Sequence, residues 1–237
     1  MKAMNFKGIK RESVELLAIN RFNNSKEFYD ANKLKIKNGV LLPLYDLIDD
    51  LFELLTQINP DFILDPRRCV SRVRRDTRFT HDKSLYRENL WVMFRHQKNY
   101  LPTPMFWFEF FPDGYDFGCG IICATPSFMQ YWRDRIKADP NKLTDAAAPA
   151  LALGMKYRGE KYKRSKASAD GIVGEAAEWY DMKEPFLMHH TDGIANLAKP
   201  KKLEREIIDG YTALEPLYRY MLELTQSFNC ELTENDI

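Results

Sequence analysis

The sequence predicts an α+β fold, in which helices pack on a mainly antiparallel sheet of four to six strands and helical segments lie towards both ends of the chain. Three observations lead to this prediction. Apolar residues have helical spacing over the first sixty residues, short β-branched or aromatic stretches follow in the middle, and helical spacing returns after Pro200. The 237 residues, 45% hydrophobic and 29% charged, are typical of one ordinary globular domain, predicted here over 1–237.

Three helices are predicted before residue 60. The stretch RESVELLAIN (residues 11–20) is short and amphipathic. Asn24 and Glu27 have capping-box spacing, which predicts that a helix begins at Asn24 within the segment 23–37. From Leu41 to Ile58, apolar residues recur three and four apart with acidic residues between them, so we expect an amphipathic helix that packs on the sheet.

Four short stretches in the middle of the chain are predicted to be strands of an antiparallel meander: CVSRV, LWVMFRH, MFWFEFFP and YDFGCGIIC. Asp113-Gly114 between the last two favours a tight hairpin. Gly118 and Gly120 leave one face of the fourth strand without side chains, and we expect a helix, another backbone or a ligand to approach there.

Two helices are predicted after the meander. Thr125-Pro126 supplies an N-cap and a first-turn proline, and Phe128, Trp132 and Ile136 follow at helical spacing. The alanine-rich segment 142–150 is also expected to be helical.

The last third of the chain is expected to contain a loop or weak hairpin, a strand and a return to helix. The polar, glycine-rich segment 159–176 predicts a loop or weak hairpin, and FLMHH (residues 186–190) predicts a strand. A C-terminal helical segment is predicted over about residues 200–228, with a stop at Gly210 and a new start at Thr212.

The remaining composition argues against several classes of protein. No apolar run reaches the length of about 18 residues that a membrane span needs, and the N-terminus has no apolar signal segment, so we expect a cytoplasmic protein without a membrane partner. Cys119 and Cys123 lie four apart on a predicted strand, about 13 Å, too far to share one zinc ion. His189 and His190 would point to opposite faces of a strand. We therefore expect no metal site.

Positive charge is concentrated in two segments although the net charge is only +1. Residues 67–98 contain ten Lys or Arg and three acidic residues, and residues 156–166 contain six basic residues and one acid. Such segregation indicates a basic surface for an anionic partner.

Two sequence segments carry a resemblance to a known family. NNSKEFYDANK (residues 23–33) and RVRRDTRFTHDKSLYR (residues 72–87) resemble the motifs of a widespread microbial family called domain of unknown function 2461. The strand and helix FGCGIICATPSFMQYWRDRI (residues 117–136) resemble a later part of the family, and the likeness covers roughly residues 6–179. The resemblance implies an α+β fold and assigns no reaction.

The second segment supplies the candidate site, because arginine presents a planar fork that holds carboxylate or phosphate through two hydrogen bonds. We expect Phe79 and Tyr86 to pack beneath the segment, and Asp76 and Asp82 to bond to arginine neighbours. The segment 75–88 is expected to be a long connection between the strands CVSRV and LWVMF. The candidate ligand-binding residues are Arg72, Arg74, Arg75, Asp76, Arg78, Asp82, Lys83, Tyr86 and Arg87.

The favoured hypothesis is an anion-binding domain, with an enzyme acting on a phosphorylated or carboxylated small molecule as one form of it. Arg72, Arg74, Arg75 and Arg78 would hold the anion, and Asp76, Lys83 and Tyr86 would orient it. The sequence contains none of the common nucleotide-binding, hydrolase-elbow or zinc-protease motifs, and it assigns no catalytic residue, cofactor or oligomeric state.

Two alternatives remain open at this level. A nucleic-acid-binding module would use the two basic segments, with Phe79, Tyr86, Tyr100, Tyr157 and Tyr162 stacking on bases, although a pI near 7.6 argues against it. In a non-catalytic interaction protein, the Arg and Asp residues would only pin a loop to the sheet.

Overall fold

The computed structural model describes residues 4–98 and 102–235. Three helices come first: α1 (Arg11–Asn23), α2 (Lys26–Ile36) and α3 (Leu42–Ile58), with a π-helical turn, Lys37–Leu41, joining the last two. Between Leu44 and Ile58, the apolar residues of α3 that were predicted to face the core are buried. The predicted cap is displaced by one residue. Ser25 accepts from the Phe28 N–H as the N-cap of α2, while Asn24 ends α1 in the left-handed conformation.

The described residues contain a five-stranded antiparallel sheet together with helices, as the sequence predicts for an α+β protein. Its strands are β1 (Leu90–Arg95), β2 (Thr103–Phe111), β3 (Gly114–Ile122), β4 (Lys156–Arg158) and β5 (Phe186–Asp192), in the spatial order β1-β2-β3-β5-β4. The two-residue turn Pro112–Asp113 closes the predicted hairpin between β2 and β3.

The expected close approach at the glycines of β3 occurs at Gly120. A Cβ atom there would overlap the Phe186 ring and lie 2.6 Å from the Pro185 carbonyl oxygen. The Ile121 N–H donates to the same carbonyl at 3.0 Å, so the absent side chain lets the neighbouring backbone pair closely.

The stretch CVSRV is not a regular strand, contrary to the prediction. Cys69 ends the short helix α4 (Pro66–Cys69), and Val70 forms one isolated antiparallel bridge with Val92 of β1. The reason is local. Asp65 caps α4 by accepting from the Arg67 N–H, and Pro66 favours the first helical turn.

Two predicted helices follow the meander: α5 (Pro126–Ala138), capped by Thr125, and α6 (Pro140–Ala152). Segment 159–176, predicted to be a loop or weak hairpin, instead contains α7 (Lys166–Asp170) and the start of α8 (Glu175–Tyr180). The Asp181 carboxylate accepts from the N–H groups of Lys166 and Ala167, a contact that composition does not reveal.

The last described element is a single helix, α9 (Pro200–Asn235), so the predicted stop at Gly210 is wrong. A Cβ atom at Gly210 would overlap the Phe117 ring and lie 2.9 Å from the Met155 methyl group. The glycine therefore allows close packing within the helix and does not end it.

The chain divides into two compact units. Unit 1 comprises the described residues of Met1–Phe94, Trp107–Asp116 and His190–Ile208, and unit 2 those of Arg95–Phe106, Phe117–His189 and Asp209–Ile237. The division passes through β2, β3, β5 and α9, and it also separates Arg95 from the rest of β1. The single domain over 1–237 stays a prediction. Within the described residues, no helix combines the length and apolar character that crossing a membrane requires.

Candidate functional site

The candidate segment forms an irregular hairpin, here called the Arg hairpin (residues 72–87). Its arms pair in the antiparallel sense through the bridge Arg74–Tyr86, the bond from the Arg75 N–H to the Leu85 oxygen and that from the Arg87 N–H to the Val73 oxygen. The expected connection 75–88 is therefore shorter than predicted, because its two ends pair with each other.

The Asp82 carboxylate organises the hairpin. It accepts from the Ser84 hydroxyl at 2.5 Å and N–H at 2.9 Å, and from the guanidinium groups of Arg75 and, at 2.9 Å, Arg21 of α1. These bonds to Ser84, Arg75 and Arg21 hold the pKa of Asp82 far below its ordinary value. We call this group the Asp82 clamp. The prediction that Asp82 bonds to arginine is confirmed, and its geometry is that of a structural element.

The turn of the hairpin contains a second ion pair. Asp76 accepts from the Arg78 backbone N–H at 3.1 Å and from its guanidinium at 2.7 Å, which lowers the pKa of Asp76 to about 2. Lys83 donates to the Thr77 carbonyl at 2.9 Å and thereby braces the turn. Phe79 was expected to pack beneath the segment, but it is 90% exposed, since this side of the turn has no apolar cover among the described residues.

Two contacts attach the hairpin to the junction of α1 and α2. The Asn24 side-chain oxygen accepts from the Leu85 N–H at 2.6 Å. Tyr86 is buried and stacks on Tyr29, with ring centroids 4.8 Å apart. Tyr86 therefore packs beneath the segment as expected. The two sequence motifs that carry the family resemblance are in direct contact.

Above this base lies an open groove of about 410 Å³, here called the Arg groove. Three of its arginines, Arg72, Arg74 and Arg87, form no ion pair within the described part of the chain. Arg75 and Arg78 already bond to Asp82 and Asp76. Its lining consists of Ser71, Arg72, Arg74, Arg75, Asp76, Arg78, Arg87 and Trp91.

Arg87 is the least favourably placed of these cations electrostatically. Its guanidinium lies 4.4 Å from the centre of the Trp91 ring, and its Nε is buried without a hydrogen-bond partner in residues 4–98 or 102–235. Burial lowers the pKa of Arg87, and the nearby charge of Arg75 lowers it further. A buried donor beside like charge is stabilised by an added anion.

The structure brings six of the nine candidate residues into one groove. Asp82, Lys83 and Tyr86 do not line it, because their side chains bond or stack within the hairpin and its base. Sequence reasoning missed Ser71, Trp91 and Arg21. Buried residues alternate with half-buried ones along β1, and Trp91 is one of the half-buried set.

A second concavity, of about 320 Å³, lies in unit 2 beside α5 and α9. Its cations are already paired: Arg135 with Glu231 at 3.1 Å, and Lys142 with Glu223 at 3.0 Å. The Arg groove therefore fits an anion better, because binding at Arg72, Arg74 and Arg87 does not require a described carboxylate to be displaced.

Metal ligands are not grouped in the part of the chain that is described, where no cluster of three His, Cys, Asp or Glu side chains could hold an ion. Cys119 is buried and burial raises its pKa, whereas Cys123 is exposed. His189 stacks on Phe117, and His190 bonds to Asp116 at 2.6 Å.

Comparison with known proteins identifies the family. No curated protein matches the chain. A family model matches residues 12–220, a range that includes the Arg hairpin, the Asp82 clamp and the Arg groove, and it confirms the resemblance seen in the sequence. The chain therefore belongs to the family described as conserved hypothetical protein (DUF2461).

Proposed function

We propose that the chain is an anion-binding protein whose Arg groove holds a phosphate or carboxylate group. The observation that carries the proposal is the set of guanidinium groups of Arg72, Arg74 and Arg87, which line one open groove and are unpaired within the described residues. Guanidinium groups bind such oxyanions through paired, charge-assisted hydrogen bonds.

The two ion pairs of the hairpin support different roles for its residues. The Asp82 clamp fixes Arg75, and Asp76 fixes Arg78, so both guanidinium groups are positioned before a ligand arrives. A groove whose donors are already ordered loses less conformational entropy on binding than a set of free side chains. Asp82, Lys83 and Tyr86 then support the groove and do not contact the anion.

Isothermal titration calorimetry with sodium pyrophosphate tests the proposal, with citrate as the carboxylate probe. Arg72→Gln/Arg74→Gln should weaken pyrophosphate binding by about 100-fold or more, since the variant removes at least one charge-assisted bond from each arginine and each such bond contributes about 1.5–3 kcal/mol. Arg67→Gln/Arg68→Gln is the matched control, because it removes two exposed charges of α4 outside the groove. Equal weakening in both double variants would refute a defined site.

A nucleic-acid-binding function is the second candidate, and one observation favours it. Phe79 projects into solvent beside Arg78, whose guanidinium lies 5.5 Å from the ring centre, so the ring is available to stack on a base. Tyr86 is withdrawn from this role by its stack on Tyr29, and Tyr100 lies outside the described residues.

A single-stranded oligonucleotide titrated by fluorescence anisotropy tests this second candidate. Binding should weaken steeply with added salt and fall in Phe79→Ala. Unchanged affinity in Phe79→Ala would contradict base stacking, and any binding would then be non-specific attraction to the basic surface.

A further inference from the structure

The Arg groove shares one face of the sheet with a row of polar side chains, here called the polar row (Asn89, Glu109, Asp116 and His190). Asn89 immediately precedes β1, and Trp91, which lines the groove, is the second residue of that strand. Side chains two apart on an extended chain point the same way, so Asn89 lies on the groove side. Asn89 donates to the Glu109 carboxylate of β2 at 2.5 Å.

The row continues across the next two strands. The two-residue turn Pro112–Asp113 places Glu109 of β2 opposite Asp116 of β3. Asp116 then bonds to Nδ1 of His190 on β5 at 2.6 Å. The row therefore crosses from β1 to β5 on the face that carries the Arg groove. The negative charge of Glu109 also acts on the guanidinium of Arg87, and this interaction links the polar row to the Arg groove.

His190 has the surroundings of an oriented imidazole. The Asp116 side chain is 9% exposed and the His190 side chain is 44% exposed, so a buried carboxylate holds a ring that solvent can reach. Phe111 stacks on the imidazole at 6.2 Å between centroids. Among the described residues, Asp192 also faces the ring: it approaches Nε2 at 3.2 Å and is 99% exposed, so a ligand at Nε2 would take its place.

We propose that this face is a hydrolytic site, in which His190 is the acid–base residue, Asp116 is its positioning residue, and the substrate is an ester that also carries an anionic group. The inference rests on the proposed function, because the Arg groove would hold the anionic group. Asp116 accepts the Nδ1 proton, which leaves the lone pair of a neutral His190 on Nε2.

The reaction consumes one water molecule and no other reagent. Nε2 accepts a proton from water as the water oxygen bonds to the ester carbonyl carbon, and Asp116 stabilises the imidazolium that forms. The imidazolium then returns its proton to the leaving alkoxide as the carbon–oxygen bond breaks. The products are a carboxylic acid and an alcohol.

The sheet sets the length of the substrate. β1 and β5 are separated by three strand spacings in the order β1-β2-β3-β5, or about 14 Å. The arginines of the groove lie in the Arg hairpin, which follows the bridge of Val70 to β1, so the anionic group and the ester should be at least that far apart. Such a separation favours an extended molecule over a small metabolite.

The first experiment follows p-nitrophenolate release from p-nitrophenyl acetate, a neutral ester that does not need the Arg groove. His190→Gln should lower the protein-dependent rate by about 100-fold or more, in line with the size of general-base effects. His81→Gln is the matched control, because it removes an exposed histidine of the Arg hairpin and should leave the rate unchanged. Equal rates for the wild-type protein and His190→Gln would overturn the assignment.

Asp116→Asn separates positioning from a merely structural role. The pH–rate profile of the wild-type protein should rise through an inflection above 6.5, because the bond to Asp116 raises the pKa of His190. In Asp116→Asn the inflection should move to lower pH and the plateau rate should fall. A lower rate with an unmoved inflection would contradict positioning by Asp116.

The second experiment uses p-nitrophenyl monoesters of straight-chain dicarboxylic acids of increasing length. Preference over the neutral ester, as a ratio of kcat/KM, should rise as the chain approaches about 14 Å and should fall in Arg74→Gln. If His190 is required but no preference appears, only the Arg groove assignment fails. If pyrophosphate binds the groove but His190→Gln changes nothing, only the hydrolytic assignment fails.

Discussion

Aspartate residues of the same motif have different roles. Asp82 accepts hydrogen bonds from three residues and holds the hairpin to α1, whereas Asp76 pairs with Arg78 at the surface. The motif was interpreted as one site in the sequence, but part of it holds the hairpin in place and the other part lines the exposed groove. This division explains why residue types alone did not separate binding from folding.

Asp82→Asn should lower the melting temperature at neutral pH, because it removes the charge that Ser84, Arg75 and Arg21 stabilise. The pKa of Asp82 is lowered in the folded protein, so its contribution is present above the ordinary value of 3.8 and is lost as pH falls towards the folded value. Thermal unfolding of both proteins between pH 7 and pH 3 measures this, and a difference that persisted unchanged at the lowest pH would rule out the carboxylate charge as its source.

His190 should contribute to stability in the opposite pH range. Its pKa is raised by the bond to Asp116, so its stabilisation is complete below the ordinary value of 6.5 and is lost as pH rises through the folded value. NMR titration of the histidine ring protons should show His190 titrating above 6.5 and moving down in Asp116→Asn. An unshifted His190 resonance in that variant would mean that the contact is absent in solution.

At the scale of elements, α9 shows a glycine selected for packing. Alanine is favoured over glycine inside helices by about 1 kcal/mol, so propensity alone predicts that Gly210→Ala stabilises α9. We expect a loss of roughly 1–3 kcal/mol instead, since the added methyl group would overlap the Phe117 ring. Urea unfolding of Gly210→Ala and of Gly210→Ala/Phe117→Leu measures the loss and its partial recovery, and a more stable single variant would contradict the packing argument.

The elements with strong periodicity could be predicted from the sequence. The α3 stripe, the Thr125 cap and the β2–β3 hairpin depend on neighbouring residues, and each is present. The features that were missed depend in part on distant partners: Asp181 accepts from the first two N–H groups of α7 in addition to the local Ser165 cap, and Phe117 packs against Gly210. The candidate site divides likewise. Its arginines are visible in the sequence, but Trp91 and Arg21 join them only through the fold.

At the scale of the whole molecule, the two compact units share secondary-structure elements. Because the division passes through four strands and α9, we expect one cooperative unfolding transition, as the predicted single domain requires. Differential scanning calorimetry should give a calorimetric enthalpy equal to the van't Hoff enthalpy. Two resolved transitions would instead identify the units as separate domains.

The attachment of the Arg hairpin to α1 has a consequence for hydrogen exchange. Arg21 donates to both the Asp82 carboxylate and the Tyr86 carbonyl, and Asn24 accepts from the Leu85 N–H. An anion that slows the opening of the hairpin should therefore also protect amides at the C-terminal end of α1, including Asn24, whose N–H bonds to the Asn20 carbonyl. A ligand whose contacts are confined to the groove would thus leave its protection pattern on a helix some sixty residues earlier in the chain.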